Sequence, residues 1–357
     1  EITYGDWSSD VCSSDLLVSM SPAPNPYRQL VPLIRPHQFL FMRGFLSLIG
    51  YLVMTLLLPP LAGQLAASIG TKDLHQVIFA LGAAAIVFLF RSFFQYWESI
   101  WMVEAAVAVV YSHSHVDHYG GMRGVVDEKD VKAGKVQVIA PEHFTEHAVS
   151  ENVIAGNVMS RRAIYMYGAM LPRSPHGGVN GGLGQTTSTG SAGLIVPTRE
   201  IKRTGETVTV DGVQMVFQMT PGTEAPAEMN THFPRFKAMW MAENSTNTLH
   251  NILTLRGAQV RDPLKWASYL DETIDKYGKN TEVKFQSHHW PMWGSARIVD
   301  YWKKHRDMYK YLHDQSVNLM NKGYTGIEIS NMVKLPPELD RQWYNRGYYG
   351  SLDRKST

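Results

Sequence analysis

The chain has 357 residues, 44% of them hydrophobic and 18% charged, with a formal net charge of +2. The apolar fraction excludes whole-chain disorder, and the balanced charge gives no nucleic-acid footprint. One cysteine, Cys12, excludes an internal disulfide and any all-cysteine zinc site; against fourteen histidines, a metal here is held by nitrogen and oxygen.

In chain order, residues 1–27 open on EITYGDWSSDVCSSDL, which repeats SSD without a period and looks like translated library-adapter sequence. The tail DRKST, 353–357, looks the same, and such scars stay outside fold reasoning. No charged residue occurs from Gly44 to Thr71 or from Leu74 to Phe90. A membrane helix needs about 20 mostly apolar residues. The two runs therefore predict a transmembrane hairpin over 28–104, with membrane contact through 39–100. Lys72 and Asp73 fill its turn, Pro59 and Pro60 end or kink its first helix, and Arg91 snorkels to the interface. Arg35 and Arg43 ahead of the first helix favour a cytoplasmic N-terminus. The alternative is a buried helical pair in a soluble domain. The segment LVPLIRPHQFLFMRGFLSLIGYLVMTLLLPPLAGQLAASIG and the following DLHQVIFALGAAAIVFLFRSFFQYWESIWMVEAA resemble the start of an ABC-type exporter transmembrane domain, without any G-x-x-x-x-G-K-[ST] phosphate loop. Unlike halves and adapter-like ends predict a chimeric reading frame with its junction near Ala105–Val110.

The chemistry starts at AVAVVYSHSHVDHYGG. The apolar AVAVV predicts a buried strand feeding a loop that carries His113, His115, Asp117 and His118. In extended chain, alternate residues share a face, so His113 and His115 can clasp one ion. Asp117 and His118 follow in the turn and can reach a second, while Gly120 and Gly121 permit tight turning. Neutral imidazole and carboxylate suit zinc, with iron or manganese as alternatives. A binuclear site needs further ligands. TPGTEAPAEM offers Glu224 and Glu228, MAEN offers Glu243 after an apolar strand, and SHHW offers His288 and His289 after another. Glu228 reads as a cap or a solvent-facing side chain, and His289 as a donor orienting a ligand. EHFTEHAVSENVIAG predicts a helix whose His143, Glu146, His147 and Glu151 form a solvated face.

H-x-H-x-D-H after a strand resembles the metallo-β-lactamase superfamily. From Tyr111 to Leu352 the chain resembles its linear alkyl sulfatases, through SHSHVDHYGG, VIAPEHFTEHAVSENVIAGNVMSRRAIYMYG, GLGQTTSTG, TPGTEAPAEM, MAENSTNTLHNILTLRGAQVRD, SHHWPMWG and NRGYYGSL. The resemblance implies an α/β fold, the αββα sandwich of that superfamily, over 105–297. A helical segment over 298–352 would begin a dimerisation domain. It implies two Zn2+ ions held by His113, His115, Asp117, His118, Glu224, Glu243 and His288, with Glu243 bridging. The activity it implies is hydrolysis of dodecyl sulfate-like esters to alcohol and sulfate by a metal-activated water. Asp117 and His250 are the catalytic candidates, His250 as proton donor to the leaving alcohol. Arg256 is the substrate-binding candidate, because its planar fork matches an oxyanion and the resemblance places a sulfate-binding arginine there. Asn244 and Tyr165 are further substrate-binding candidates, with Arg261 and Asn251 weaker ones. Met166, Tyr167, Met170, Trp290, Met292 and Trp293 could line an alkyl channel or serve as core.

After the metal region, Ile298, Trp302, His305, Met308, Leu312 and Gln315 fall at helical spacing, and Thr325 with Glu328 forms a capping box. The resemblance departs at both ends. Only AVAVV precedes the metal loop where the family has a half-sheet, and the chain stops where the family continues through further helices and a sterol-carrier-like domain. A homodimer, no nucleic-acid partner and a periplasmic or secreted location follow from the resemblance, or membrane association from the hairpin. The rival readings are another hydrolase of this superfamily, acting on a thioester, lactone or phosphodiester, and a non-catalytic membrane fragment of a transporter.

Overall fold

The computed structural model describes residues 38–71, 74–184 and 190–352. The adapter-like segments 1–27 and 353–357, and part of GLGQTTSTG, lie outside the described residues. Two long helices come first, α1 Gln38–Thr71 and α2 Leu74–Ala105. Within them Leu46–Gln64 and Leu74–Gln95 are long and apolar enough to cross a membrane. Among the described residues, Leu56, Phe79 and Leu89 are exposed on this pair. The helix α1 runs on through Pro59 and Pro60 rather than ending there. The Arg91 guanidinium donates to the Tyr51 hydroxyl at 3.0 Å and lies 5.1 Å from that ring's centre.

The remaining chain forms two sheets. The first holds β1 Ala108–Val110, β2 Gln137–Pro141 and β3 Arg199–Ile201, all parallel in the order β1-β2-β3. Between these strands run α3 Val116–Tyr119, α4 Glu128–Lys132, α5 Phe144–Val149, a π-helical turn Ser150–Ile154, and α6 Gly156–Met166. Among the described residues β1 is the only strand ahead of the histidine loop, and it is an edge of its sheet.

The second sheet has the order β4-β5-β6-β7-β8-β9: Thr207–Val210, Val213–Met219, Met229–Phe233, Ala238–Trp240, Val283–Phe285 and Met292–Trp293. All its pairings are antiparallel except β7 with β8, whose connection contains α7 Pro263–Tyr277. Then come α8 Ser295–Asn321, α9 Gly326–Met332 and α10 Pro337–Asp340.

Period-two patterning explains the layers. In β2, Val138 and Ala140 face a core with Tyr111, Val131 and Phe144 from the helical side, while Ile139 faces the other way. Ile139 and Ile201 meet Val208, Met215, Phe217 and Met229 of the second sheet, so the two sheets pack face to face. On the second sheet's outer side Met239 and Met292 pack against Trp266 of α7 and Ile298, Trp302, Met308 and Leu312 of α8. The layers run helices, sheet, sheet, helices, and each buried Val, Ile or Met contributes about 1.5–3 kcal/mol. The predicted helical stripe of α8 is the buried one, with Gln315 half-buried at its end. Thr325 and Glu328 form the expected capping box on α9.

One further tie positions the site. Ser112 O accepts from Met229 N at 2.9 Å, and His113 pairs with Glu228 in an isolated antiparallel bridge. This brings the loop after β1 against the turn between β5 and β6.

Candidate metal centre

Four loops converge at one rim of the sheets. The loop after β1 carries His113, His115, Asp117 and His118. The turn before β6 carries Glu224. The loops after β7 and β8 carry Glu243 and His288. Their atoms form groups in which every ligand atom lies within 4.8 Å of the others. His113, His115 and Glu224 make one such group, and Asp117, His118, Glu243 and His288 make another. Glu224 Oε2 lies 2.8 Å from His115 Nδ1 and 3.4 Å from His113 Nε2. Glu243 Oε1 lies 2.7 Å from both His118 Nε2 and His288 Nε2, and 3.8 Å from His113 Nε2. Glu243 therefore stands between the groups. Its other oxygen is 2.8 Å from His250 Nε2.

Local structure explains this. The Ser112 hydroxyl lies 3.0 Å from His113 Nδ1, which leaves Nε2 facing inward. His113 and His115 share a face, their ring centres 5.0 Å apart. Gly120 does not supply unusual backbone freedom; its need is space. A Cβ there would sit 2.6 Å from Val116 O and 3.3 Å from Ala192 Cβ, whereas Gly121 has nothing within 4 Å.

Electrostatics follow from burial. Burial, with His118 next, lowers the pKa of His113 to about 3. For His115 burial opposes the charge, but Glu224 and Glu151 outweigh it and raise the pKa to about 9. Burial also opposes charge at His288, yet Asp117 and Glu243 raise it to about 10. Glu224 is held below the usual carboxylate range: burial works against it, and Arg261 and His115 prevail. Arg261 donates to Glu224 through both its backbone and side-chain oxygens, and to Asn251, so its donors are consumed within the site's frame.

The residues fit a pair of divalent cations. His113 Nε2, His288 Nε2 and Glu224 Oε2 are buried without a well-formed hydrogen bond, although an imidazole or carboxylate ligand atom lies beside each. Imidazole nitrogens and carboxylate oxygens gathered in adjoining groups are a donor set that suits divalent metal ions.

Several residues stand elsewhere than the sequence suggests. Asn244 is buried, and its amide donates to Thr220 Oγ1 and Asn230 Oδ1, so it braces the loop. Tyr165 is 88% exposed, while Tyr167 is the tyrosine that meets Arg256, at 3.5 Å. Trp290, Trp293 and Met170 are exposed and Met292 is core. Glu228 is neither cap nor solvent-facing. It is fully buried and accepts from Thr223 Oγ1 at 2.8 Å, Ala225 N at 3.0 Å and Glu243 N at 3.2 Å. Burial and the neighbouring Glu224 push its pKa up to about 8. Glu151 is not on a solvated face. It lies between His115 and Arg256, whereas His143 and Glu146 are exposed and pair with each other. Sequence reasoning also missed the C-terminal segment. Arg346 O accepts from Leu249 N at 2.9 Å, and the Tyr349 ring stands edge-on to His250.

The loop Met241–Ile252 is buried without regular structure, so its backbone needs partners. Trp266 Nε1 donates to Asn244 O at 2.9 Å. Lys284 Nζ donates to Ser245 O at 2.7 Å, and the Tyr301 hydroxyl to Thr246 O at 2.7 Å. These donors come from α7, β8 and α8, which ties Glu243 and His250 to the rigid second layer.

The profile of the metallo-beta-lactamase superfamily matches residues 104–288. The chain belongs to the metallo-beta-lactamase superfamily. A profile described as alkyl sulfatase dimerisation matches residues 325–357. Within the superfamily, the chain is 54% identical over 247 residues to a linear primary-alkylsulfatase of Pseudomonas sp., covering 69% of this chain and 37% of that one. It is 52% identical over 248 residues to an (R)-specific secondary-alkylsulfatase of Pseudomonas sp., with the same coverage. The solved structure of a stereoselective inverting sec-alkylsulfatase from Pseudomonas sp. superposes with a TM-score of 0.68 at 52% identity, over 69% of this chain and 39% of that one. The chain thus spans well under half the length of these relatives.

Proposed function

We propose that the chain hydrolyses linear alkyl sulfate esters of the dodecyl sulfate kind to alcohol and sulfate at a binuclear zinc centre. The observation that carries this reading is the Glu243 carboxylate standing between two groups of imidazole and carboxylate ligands. His113, His115 and Glu224 would hold one ion, Asp117, His118 and His288 the other, and Glu243 both. Two zinc ions bound there would make water acidic near neutral pH and draw charge from an ester oxygen.

The chain's own residues supply the rest. Arg256 presents a planar fork to the sulfate oxyanion and keeps N–H donors beyond those given to Glu151 and Tyr167. Asp117, with a side chain 58% exposed, lies at the mouth and orients the attacking water. His250 holds a proton at Nε2 against the acceptor-only Glu243 carboxylate. Its Nδ1 lies 3.1 Å from Asn251 O and 3.3 Å from Arg261 Nη1, and the reading takes Nε2–H as the proton offered to the leaving oxygen. Exposed Val153, Ile154, Val158 and Met170, on and beside α6 and close in sequence to Glu151 or Tyr167, offer apolar surface for the alkyl chain.

The same reading takes 28–104 as a membrane hairpin, 105–297 as the catalytic region and 298–352 as the start of a dimerising segment. It takes a second copy of the chain as the partner and, for the catalytic region, an exported location. A substrate panel tests it. Turnover of dodecyl sulfate is expected to exceed that of a dodecyl thioester, a lactone and a phosphodiester. Preference for a carboxylic ester would contradict it.

A further inference from the structure

We propose that Glu151 is a positioning residue that couples the first metal group to the sulfate-binding arginine; this rests on the function proposed above. Glu151 lies in the π-helical turn Ser150–Ile154, closed by Ala155 N donating to Ser150 O at 3.0 Å, five residues back. Such single wide turns shift the register of a helix and recur at functional sites. Here the side chain stays on the inward face set by Phe144 and Ala148, both buried, with only 12% of it exposed. One carboxylate oxygen lies 3.5 Å from His115 Nε2, and the other accepts from Arg256 at 3.0 Å.

Chemistry gives each oxygen a separate task. His115 turns Nδ1 toward Glu224 and the metal group, so Nε2 carries the hydrogen, and a carboxylate behind it fixes ring and tautomer. Arg256 has no acceptor of its own and needs anchoring if its remaining donors are to point at an oxyanion. Both partners of Glu151 are donors. An ionised carboxylate accepts from both at once, and an amide accepts on one oxygen only. Tyr167 completes the clamp, its hydroxyl 3.5 Å from Arg256 and 3.0 Å from the Tyr349 hydroxyl.

The test uses the full chain with Glu151→Gln, Tyr167→Phe and Arg256→Lys. Metal affinity of the metal-free protein is read by competition with a chelator, and KM by sulfate release from dodecyl sulfate. Glu151→Gln is expected to weaken metal binding about 10-fold and to raise KM by a similar factor. Tyr167→Phe is expected to raise KM with metal affinity unchanged. Because Glu151 acts on substrate through Arg256, Glu151→Gln with Arg256→Lys should raise KM little more than Arg256→Lys alone. Wild-type metal affinity in Glu151→Gln, or fully additive KM effects, would overturn the proposal. A wild-type chain that neither binds zinc nor releases sulfate would instead overturn the parent reading, so the two failures are distinguishable.

Discussion

Buried carboxylates join the loops of this site, Glu224 beside His115 and Glu243 beside His118 and His288. H-x-H-x-D-H is readable because its ligands are local, and alternation alone puts His113 and His115 together. Glu224 and Glu228 are four apart in an irregular turn, where no periodicity says which faces the metal. The structure gives Glu224 to the histidines and Glu228 to three loop donors. Glu228→Ala strands those donors in a dry interior. At about 1–3 kcal/mol each it should cost about 3 kcal/mol or more in a urea denaturation series, and Glu228→Gln, which keeps an acceptor, markedly less. His305 gives a pH test away from the metal groups. Burial, only partly offset by Asn345, lowers its pKa to about 3, so it is neutral when folded. The unfolded chain binds the proton below about pH 6.5, so stability is full above that pH and falls as pH drops toward 3. Between pH 7 and pH 5 the loss from this group is about 2 kcal/mol. His305→Gln should flatten that part of the stability–pH curve, and an unchanged slope would contradict the assignment.

At the scale of elements, apolar runs marked β1, β7 and β8, and helical spacing marked α8, whose buried stripe faces a core. Glu151 escaped because charge in a helix reads as solvent-facing. Yet positions 144, 148 and 151 form one stripe, and a carboxylate on that stripe was the available signal. The contact of Arg346 with Leu249 joins segments too distant for any local pattern to reveal. Thr325→Ala removes one half of the capping box on α9 and should cost about 1 kcal/mol in denaturant, with Thr325→Ser near neutral. Gly120→Ala forces a methyl against Val116 O, so it should lower metal occupancy and cost about 1–3 kcal/mol. Gly121→Ala, with open space around it, should do neither; equal effects at the two glycines would show that the loop senses flexibility rather than room.

For the whole molecule, the first helix pair and the metal region read as different kinds of protein. The exposed apolar surface of α1 and α2 suits lipid. The chain is therefore expected to stay with membranes through alkaline extraction, and release into the supernatant would contradict a spanning hairpin. In the metal region all seven expected ligands stand at one rim, held by α7, β8 and α8 through the loop that carries Glu243. That arrangement makes the central claim measurable in one titration. Sulfate release from dodecyl sulfate is followed while zinc is returned to the metal-free full chain. Release should rise to a plateau at two zinc ions per chain and be absent in Glu243→Ala. Release that is independent of zinc, or absent with two ions bound, would contradict the account.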